Sequence, residues 1–463
     1  VRSALLERVF YHEIGGVFTV PFVPDGAVVR DTLSPFRRAL KHLATPLTPV
    51  TLSEFAGKYY RGQRFKLYDN AAKVVAARGP LHRDSFLNTF LKHEKIPVQA
   101  KRAVPRVIQP RNPRYNVALG RYIRPLEHIL YHDIARLFGR PTVMKGYNAE
   151  KTARFMHQAW VKYRRPRGLG LDASRFDQHC SEPILEWEHL VYELYYPGCE
   201  ELRRLLSWQL ESLGFVRIPG ARVRYKVRGG RCSGDMNTAL GNCLIMCASV
   251  YALFSFLDML YSDGTTRVCL FNNGDDCMLI GEEEDIERLR EAAPGFFEKL
   301  GYVMKVEPIV RQLEEVVFCQ TQPVYDGVKW RMVRDPRLAL SKDLYIADRE
   351  CAYKHPKAQL YAIGACGLSL TGGLPVFQEF YAALKRNGSR GKAVDHNFLE
   401  SGFYRLAIGM DEAYRPVTDE ARASFCRAFG IVPDLQVAME RTYAACAPKL
   451  CAPVHGEPWE MPI

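Results

Sequence analysis

The segment Asn272-Asn273-Gly274-Asp275-Asp276 lies between two apolar runs, Val268-Cys269-Leu270-Phe271 and Cys277-Met278-Leu279-Ile280. Asn-Gly between such runs is the strongest short-range hairpin signal, because a tight turn needs positive φ. The pattern predicts a β-hairpin with Asp275 and Asp276 at its tip. Adjacent exposed carboxylates repel each other, so the arrangement costs stability unless a cation sits there. Hard carboxylate oxygens suit Mg²⁺ or Mn²⁺, not zinc.

Two further segments make this signal specific. Gly170-Leu171-Asp172-Ala173-Ser174-Arg175-Phe176-Asp177 places one Asp after a short apolar step and a second five residues later. Ser233-Gly234-Asp235-Met236-Asn237-Thr238-Ala239-Leu240-Gly241-Asn242 begins as a flexible Ser-Gly loop and leads into a long apolar stretch. Thr238 and Asn242 are four apart, hence on one helical face. Two-metal phosphoryl transfer needs carboxylates from separate segments to converge. One ion activates an attacking hydroxyl, and the other neutralises a triphosphate and the leaving pyrophosphate. Residues 239–261 are long and apolar enough to span a bilayer. Asn242 and Asp258 within them, and the flanking acidic motifs, favour a buried core helix.

The 463 residues exceed what one hydrophobic core usually holds, so several subdomains are expected. The formal net charge of +13 favours a polyanionic partner. Two basic runs concentrate it. Residues 92–124 carry Lys92, Lys95, Lys101, Arg102, Arg106, Arg111, Arg114, Arg121 and Arg124 against Glu94 alone, and prolines at 97, 105, 110 and 113 argue there for extended strands and loops. Residues 217–231 hold Arg217, Arg222, Arg224, Lys226, Arg228 and Arg231, with Val223, Tyr225 and Val227 alternating as in a strand with one solvated face. The 13 cysteines read as free thiols of a reducing compartment. Cys243 and Cys247, like Cys351 and His355, have helical i,i+4 spacing, but no complete four-ligand zinc pattern is present.

In this order the motifs resemble those of the RNA-dependent RNA polymerases of positive-strand RNA viruses, of the type of the carmovirus-like enzymes of the Tombusviridae. Asp172 and Asp177 match the first palm motif, Ser233 through Asn242 the second, and Gly274-Asp275-Asp276 the third. The resemblance implies metal ligation by Asp172, Asp275 and Asp276, with two Mg²⁺ that Mn²⁺ can replace. It implies that Lys305 protonates the leaving pyrophosphate, and that Asp177, Ser233, Thr238 and Asn242 read the ribose. Phe90-Leu91-Lys92-His93-Glu94-Lys95 with Pro105 to Arg111 resembles the motif lining the nucleotide tunnel, which makes Lys92 and Arg106 candidates for triphosphate contacts. Lys95, Lys101, Arg102, Arg111 and Gly234 are candidates for RNA contacts, as are Phe318 and Cys319 of the primer-gripping fifth motif.

The expected fold is an α+β right hand with an antiparallel palm sheet and a helical thumb. Its expected boundaries are fingers 1–164 (tunnel motif about 90–124), palm 165–195, fingers 196–231, palm 232–322 and thumb 323–463. The expected partners are single-stranded RNA template, nascent RNA and NTPs. Members of that family carry upstream membrane anchors, often joined by readthrough or frameshifting. Attachment to host cytoplasmic membranes and to a viral accessory replication protein is therefore expected to reside outside this chain, which begins at Val1. Two other readings are a reverse transcriptase, which normally has an aromatic residue or Met where Gly274 stands, and an RNA-binding scaffold that has lost catalysis. A scaffold has no physical need for paired exposed aspartates.

Overall fold

The computed structural model describes residues 1–92, 104–218, 220–345, 354–391, 396–399 and 401–448. The chain is a mixed α+β protein that divides into two units. The first comprises Val1–Lys92, Val104–Val143 and Leu169–Ile309, and the second His93–Ala103, Met144–Gly168 and Val310–Ile463. The described strands are β1 (His12–Ile14), β2 (Val17–Thr19), β3 (Leu87–Leu91), β4 (Val107–Ile108), β5 (Pro166–Ala173) and β6 (Glu211–Ile218). They continue as β7 (Ala221–Arg228), β8 (Cys269–Asn273), β9 (Asp276–Glu282), β10 (Met304–Val306), β11 (Thr321–Tyr325) and β12 (Trp330–Arg334).

The first unit contains two four-stranded sheets, ordered β10-β5-β9-β8 and β4-β3-β6-β7. In β5 the period-two rule sends Leu169, Leu171 and Ala173 into the largest core cluster and leaves Gly170 and Asp172 on the other face. Antiparallel pairing sets Lys305 opposite Asp172 and Val306 opposite Leu171. Directly opposed residues share a face, so Lys305 and Asp172 stand on the same side of the sheet.

The expected hairpin forms, with its turn one residue further on. Asn273 pairs with Asp276, which leaves Gly274-Asp275 as the two-residue loop. Gly274 has φ +78° and Asp275 is not among the positive-φ residues, the Gly-first pattern of a type II′ turn. Buried Asn272 braces the loop by donating from Nδ2 to the Gly274 carbonyl at 2.7 Å.

The apolar stretch folds as a helix, Thr238–Phe256, in which every residue from Leu240 to Phe254 is buried. It ends five residues before the expected limit of 261. Asp258 adopts φ +55°, the Met259 N–H reaches the Phe254 carbonyl at 2.8 Å, and the Asp258 N–H reaches Ser255 at 3.3 Å. Those paired bonds are a Schellman stop. The helix is long and apolar enough to cross a membrane, but its flank is covered by protein, with Phe36, Leu171 and Leu270 in the same core cluster.

The first basic run departs from expectation. Residues from Pro113 onward are not extended but begin a 25-residue helix, Pro113–Leu137, capped by the Asn112 side chain. Proline at the first helical position loses no hydrogen bond, so Pro113 starts this helix instead of preventing it. Arg114, Arg121 and Arg124 on it face Asp84, Glu201 and Glu127 respectively. The second run does form a hairpin, β6–β7, with Tyr225 buried and Arg222, Arg224 and Lys226 exposed. Arg231, the last member of that run, is instead buried against Glu188.

In the second unit the β11–β12 hairpin accompanies helices that include Ala149–Trp160, Pro356–Thr371, Phe377–Asn387, Asp419–Phe429 and Pro433–Ala445. Arg334 ties the hairpin to Asp343, whose carboxylate also accepts from Tyr381 at 2.6 Å. The cysteines among the described residues are free thiols, Cys243 and Cys247 being fully buried in the helix.

Candidate active site

Two segments of the first unit bring Asp172 and Asp275 within electrostatic reach of each other. Asp172 ends the exposed face of β5, Asp275 sits on the turn that precedes the adjacent strand β9, and Asp276 opens that strand. All three residues are solvent-exposed. The Asp275 carboxyl is nevertheless held above the usual carboxylate range, first by partial loss of hydration and then by the charge of Asp172, against its backbone hydrogen bond and Arg106. Asp177 begins beyond Arg175, whose left-handed φ of +49° turns the chain into the short helix Phe176–His179. Burial raises the Asp177 carboxyl, a hydrogen bond from Asn242 and the charge of Arg231 oppose that rise, and Asp275 and Asp235 add to it.

Asn242 occupies the joint of this arrangement. Its Nδ2 donates to Asp177 at 2.9 Å and its Oδ1 accepts from Arg231 Nε at 3.0 Å. It lies under the acidic turn, since a Cβ on Gly274 would stand 3.9 Å from the Asn242 Cβ. The turn is also tied to this helix by the Gly274 N–H, which reaches Cys243 Sγ at 3.2 Å. Thr238 donates to the Cys232 carbonyl at 2.7 Å and Ser233 to the Val107 carbonyl at 3.2 Å. Each hydroxyl thus keeps its lone pairs for a ligand.

Among the cations, Lys92 and Arg106 are exposed at the end of the β3–β4 pair, where the Lys92 N–H donates to the Arg106 carbonyl at 2.8 Å. Arg106 is within electrostatic reach of Asp275. Lys305 is exposed opposite Asp172. Lys95, Lys101 and Arg102 lie outside the described residues.

Arg111, Gly234 and the Phe318–Cys319 pair, the other expected RNA contacts, each have a structural setting of their own. Arg111 is not a surface cation. Its side chain has 0% exposure and is ion-paired with Asp235, with further bonds to the Ser85 carbonyl at 2.7 Å and Ser212 at 2.9 Å. Gly234 has a packing reason to be glycine, because a Cβ there would stand 2.5 Å from the Pro110 Cα. Phe318, in the second unit, is buried; the turn beside it presents Cys319 and Gln320 at φ +50° and +60°, closed by paired Phe318–Thr321 backbone bonds.

Glu307, which lies within electrostatic reach of Asp172 and Lys305, was not singled out from the sequence. It pairs across the sheet with Gly170, two residues before Asp172, and a Cβ on Gly170 would stand 2.1 Å from its carboxylate. The signal was present as Gly170 alternating with Asp172 on a strand whose partner carries Lys305 and is followed at once by Glu307.

The donor set fits a hard divalent ion. Asp172 and Asp275 repel each other and offer only carboxylate oxygens. Among the described residues no three His, Cys, Asp or Glu side chains form a ready-made cluster. Mg²⁺ typically takes one or two carboxylates and completes its shell with water and substrate phosphate, so a pair suffices.

An α+β unit with acidic residues converging on a Gly-Asp-Asp turn defines a class of carboxylate-centred site. The chain belongs to the viral RNA dependent RNA polymerase family, whose model it matches over residues 1–450. It is 40% identical over 449 residues to the RNA-directed RNA polymerase of turnip crinkle virus, covering 96% of this chain and 56% of that protein. The same-named proteins of tobacco necrosis virus (strain A) and melon necrotic spot virus are 41% and 40% identical, each over 96% of this chain. The chain spans 56–60% of the length of these relatives.

Proposed function

We propose that this chain is an RNA-dependent RNA polymerase that adds NMP units to an RNA 3′-end, releasing pyrophosphate, in the replication of a positive-strand RNA genome. The observation that carries the reading is the convergence of Asp172 and Asp275 from adjacent strands beside the Asp177–Asn242 pair. Family membership and the relatives' printed activity support it. In this reading residues 165–195 and 232–322 are palm, 1–164 and 196–231 fingers, and 323–463 thumb of a right-hand polymerase.

Asp172, Asp275 and Asp276 would hold two Mg²⁺, which lower the pKa of the attacking 3′-hydroxyl and neutralise the triphosphate. The remaining work falls to the chain's own groups. Asp177 and Asn242 orient the ribose, since a 2′-hydroxyl both donates and accepts. Arg106 and Lys92 hold triphosphate oxygens, and Lys305 supplies a proton to the leaving pyrophosphate. Template and nascent RNA follow the exposed cations of the β6–β7 hairpin, Arg217, Arg222 and Arg224. The test is incorporation of labelled NTP on a short single-stranded RNA with Mg²⁺ or Mn²⁺, run beside dNTP. Incorporation of dNTP in preference to NTP would make the chain a reverse transcriptase, and RNA binding without incorporation would make it a scaffold.

Two substitutions test individual roles. Asn242→Ala removes the donor to Asp177 and strands the Arg231 Nε, so preference for NTP over dNTP will fall about 2- to 10-fold, chiefly through poorer NTP use. An unaltered preference in an active enzyme would remove Asn242 from sugar reading. Arg106→Ala will raise the apparent KM for NTP and lower kcat, because a rigid guanidinium fork near Asp275 helps most as charge builds on the leaving group. Normal NTP kinetics beside an RNA-binding salt slope reduced by about one unit would place Arg106 on template phosphate instead.

A further inference from the structure

Arg231 ends a basic run in the sequence, yet its side chain is 1% exposed. Three contacts hold it. Its backbone N–H donates to the Asp177 carbonyl at 2.7 Å, its Nε donates to Asn242 Oδ1 at 3.0 Å, and its Nη2 pairs with Glu188, which has no exposed side-chain surface. Glu188 in turn accepts from Tyr192 at 2.6 Å and from Asn237 Nδ2 at 2.8 Å. The helix Thr238–Phe256 admits this ion pair only because position 241 is glycine. A Cβ there would stand 2.5 Å from both Arg231 Nη2 and Glu188 Oε1.

A guanidinium donates and never accepts, so the amide edge of Asn242 that faces Arg231 must be its oxygen. That leaves the NH₂ edge for Asp177, whose ionised carboxylate only accepts. Without the Arg231 bond the amide keeps only the Asp177 contact, and one of the two anchors that fix its plane is gone. We propose that Arg231, braced by Glu188, is a positioning residue for sugar selectivity. It locks Asn242 with its donors toward Asp177, and so fixes the pair that recognises a ribonucleoside 2′-hydroxyl. The inference rests on the polymerase reading above. A deoxyribose makes neither hydrogen bond, so loosening the lock penalises ribonucleotides selectively, whereas general damage to the fold penalises both sugars alike.

The experiment measures kcat and KM for one NTP and its matching dNTP with the full chain on a short RNA template. It compares wild type, Arg231→Lys and the double variant Arg231→Met/Glu188→Gln. The double variant removes both charges and strands neither, and glutamine keeps an oxygen for Tyr192 and Asn237. Its kcat/KM for NTP should fall about 2- to 10-fold more than for dNTP, chiefly through KM. Arg231→Lys keeps a donor that can serve Asn242 or Glu188 but not both in the forked geometry, and should give an intermediate ratio. A wild-type NTP/dNTP ratio in a folded double variant would overturn the proposal. If thermal melting shows that the double variant is unfolded, Arg231→Lys decides alone: a lowered ratio supports the lock, and a wild-type ratio overturns it. Failure of wild type itself to incorporate NTP or to prefer it over dNTP would overturn the polymerase reading, and is seen before any variant is assayed.

Discussion

Asp275→Asn protein will bind RNA as wild type does and will add nucleotides at least about 10³-fold more slowly, because a metal-ion contribution of several kcal/mol is lost at about 1.4 kcal/mol per decade. The substitution removes an anionic ligand from the hairpin turn and leaves the exposed cations of β6–β7 untouched. Its effect on stability has the opposite sign. The Asp275 carboxyl is raised in the folded protein by lost hydration and by Asp172, so folding favours its neutral form. At neutral pH the ionised group therefore costs folding energy, and a neutral amide relieves that cost. The expected result is an inactive protein whose melting temperature is equal to or above that of wild type. Activity near the wild-type level would remove Asp275 from the metal clamp. Loss of activity with loss of fold would make the residue structural.

Arg111→Ala will destabilise the first unit by about 3–5 kcal/mol, the usual consequence of leaving one member of a buried ion pair without its partner. Total stabilities of 5–15 kcal/mol make this a large fraction. The guanidinium bonds Asp235, the Ser85 carbonyl and Ser212 with no exposed side-chain surface, so all of these acceptors are stranded together. Replacing both charges, as in Arg111→Met/Asp235→Leu, should recover much of the loss. Urea unfolding of the three proteins measures the effect. A stable Arg111→Ala protein whose RNA-binding salt slope drops by about one unit would return Arg111 to the RNA interface.

These cases show what could be read along the chain. The hairpin was legible because its determinants are local: two apolar runs and a glycine that supplies positive φ. Its register slipped by one because Asn273, which looks like a turn residue, pairs with Asp276. The core helix was legible from unbroken apolarity, whereas its end depended on Asp258 taking a left-handed conformation that its short polar side chain tolerates. The basic runs misled for a physical reason. The partner of Arg111 lies 124 residues away and that of Arg231 lies 43 away. A linear count of charge sees the cations as free, and only the fold reveals which are neutralised. Proline was misread in the same way. Pro113 suits the first turn of a helix, and its effect depends on position within the element. Asp172, Asp177, Asn242 and Asp275 were singled out from motif order, while the contacts of Arg231, Glu188 and Glu307 beside them depend on the fold.

The central claim is that Asp172 and Asp275 together hold the catalytic ions. Anomalous scattering from crystals of the protein with RNA, NTP and Mn²⁺ tests it directly. Two Mn²⁺ peaks about 3.5–4 Å apart, with Asp172 and Asp275 carboxylates as ligands, are the predicted result. Mn²⁺ bound elsewhere, with those two carboxylates left uncoordinated in a substrate-loaded crystal, would contradict it.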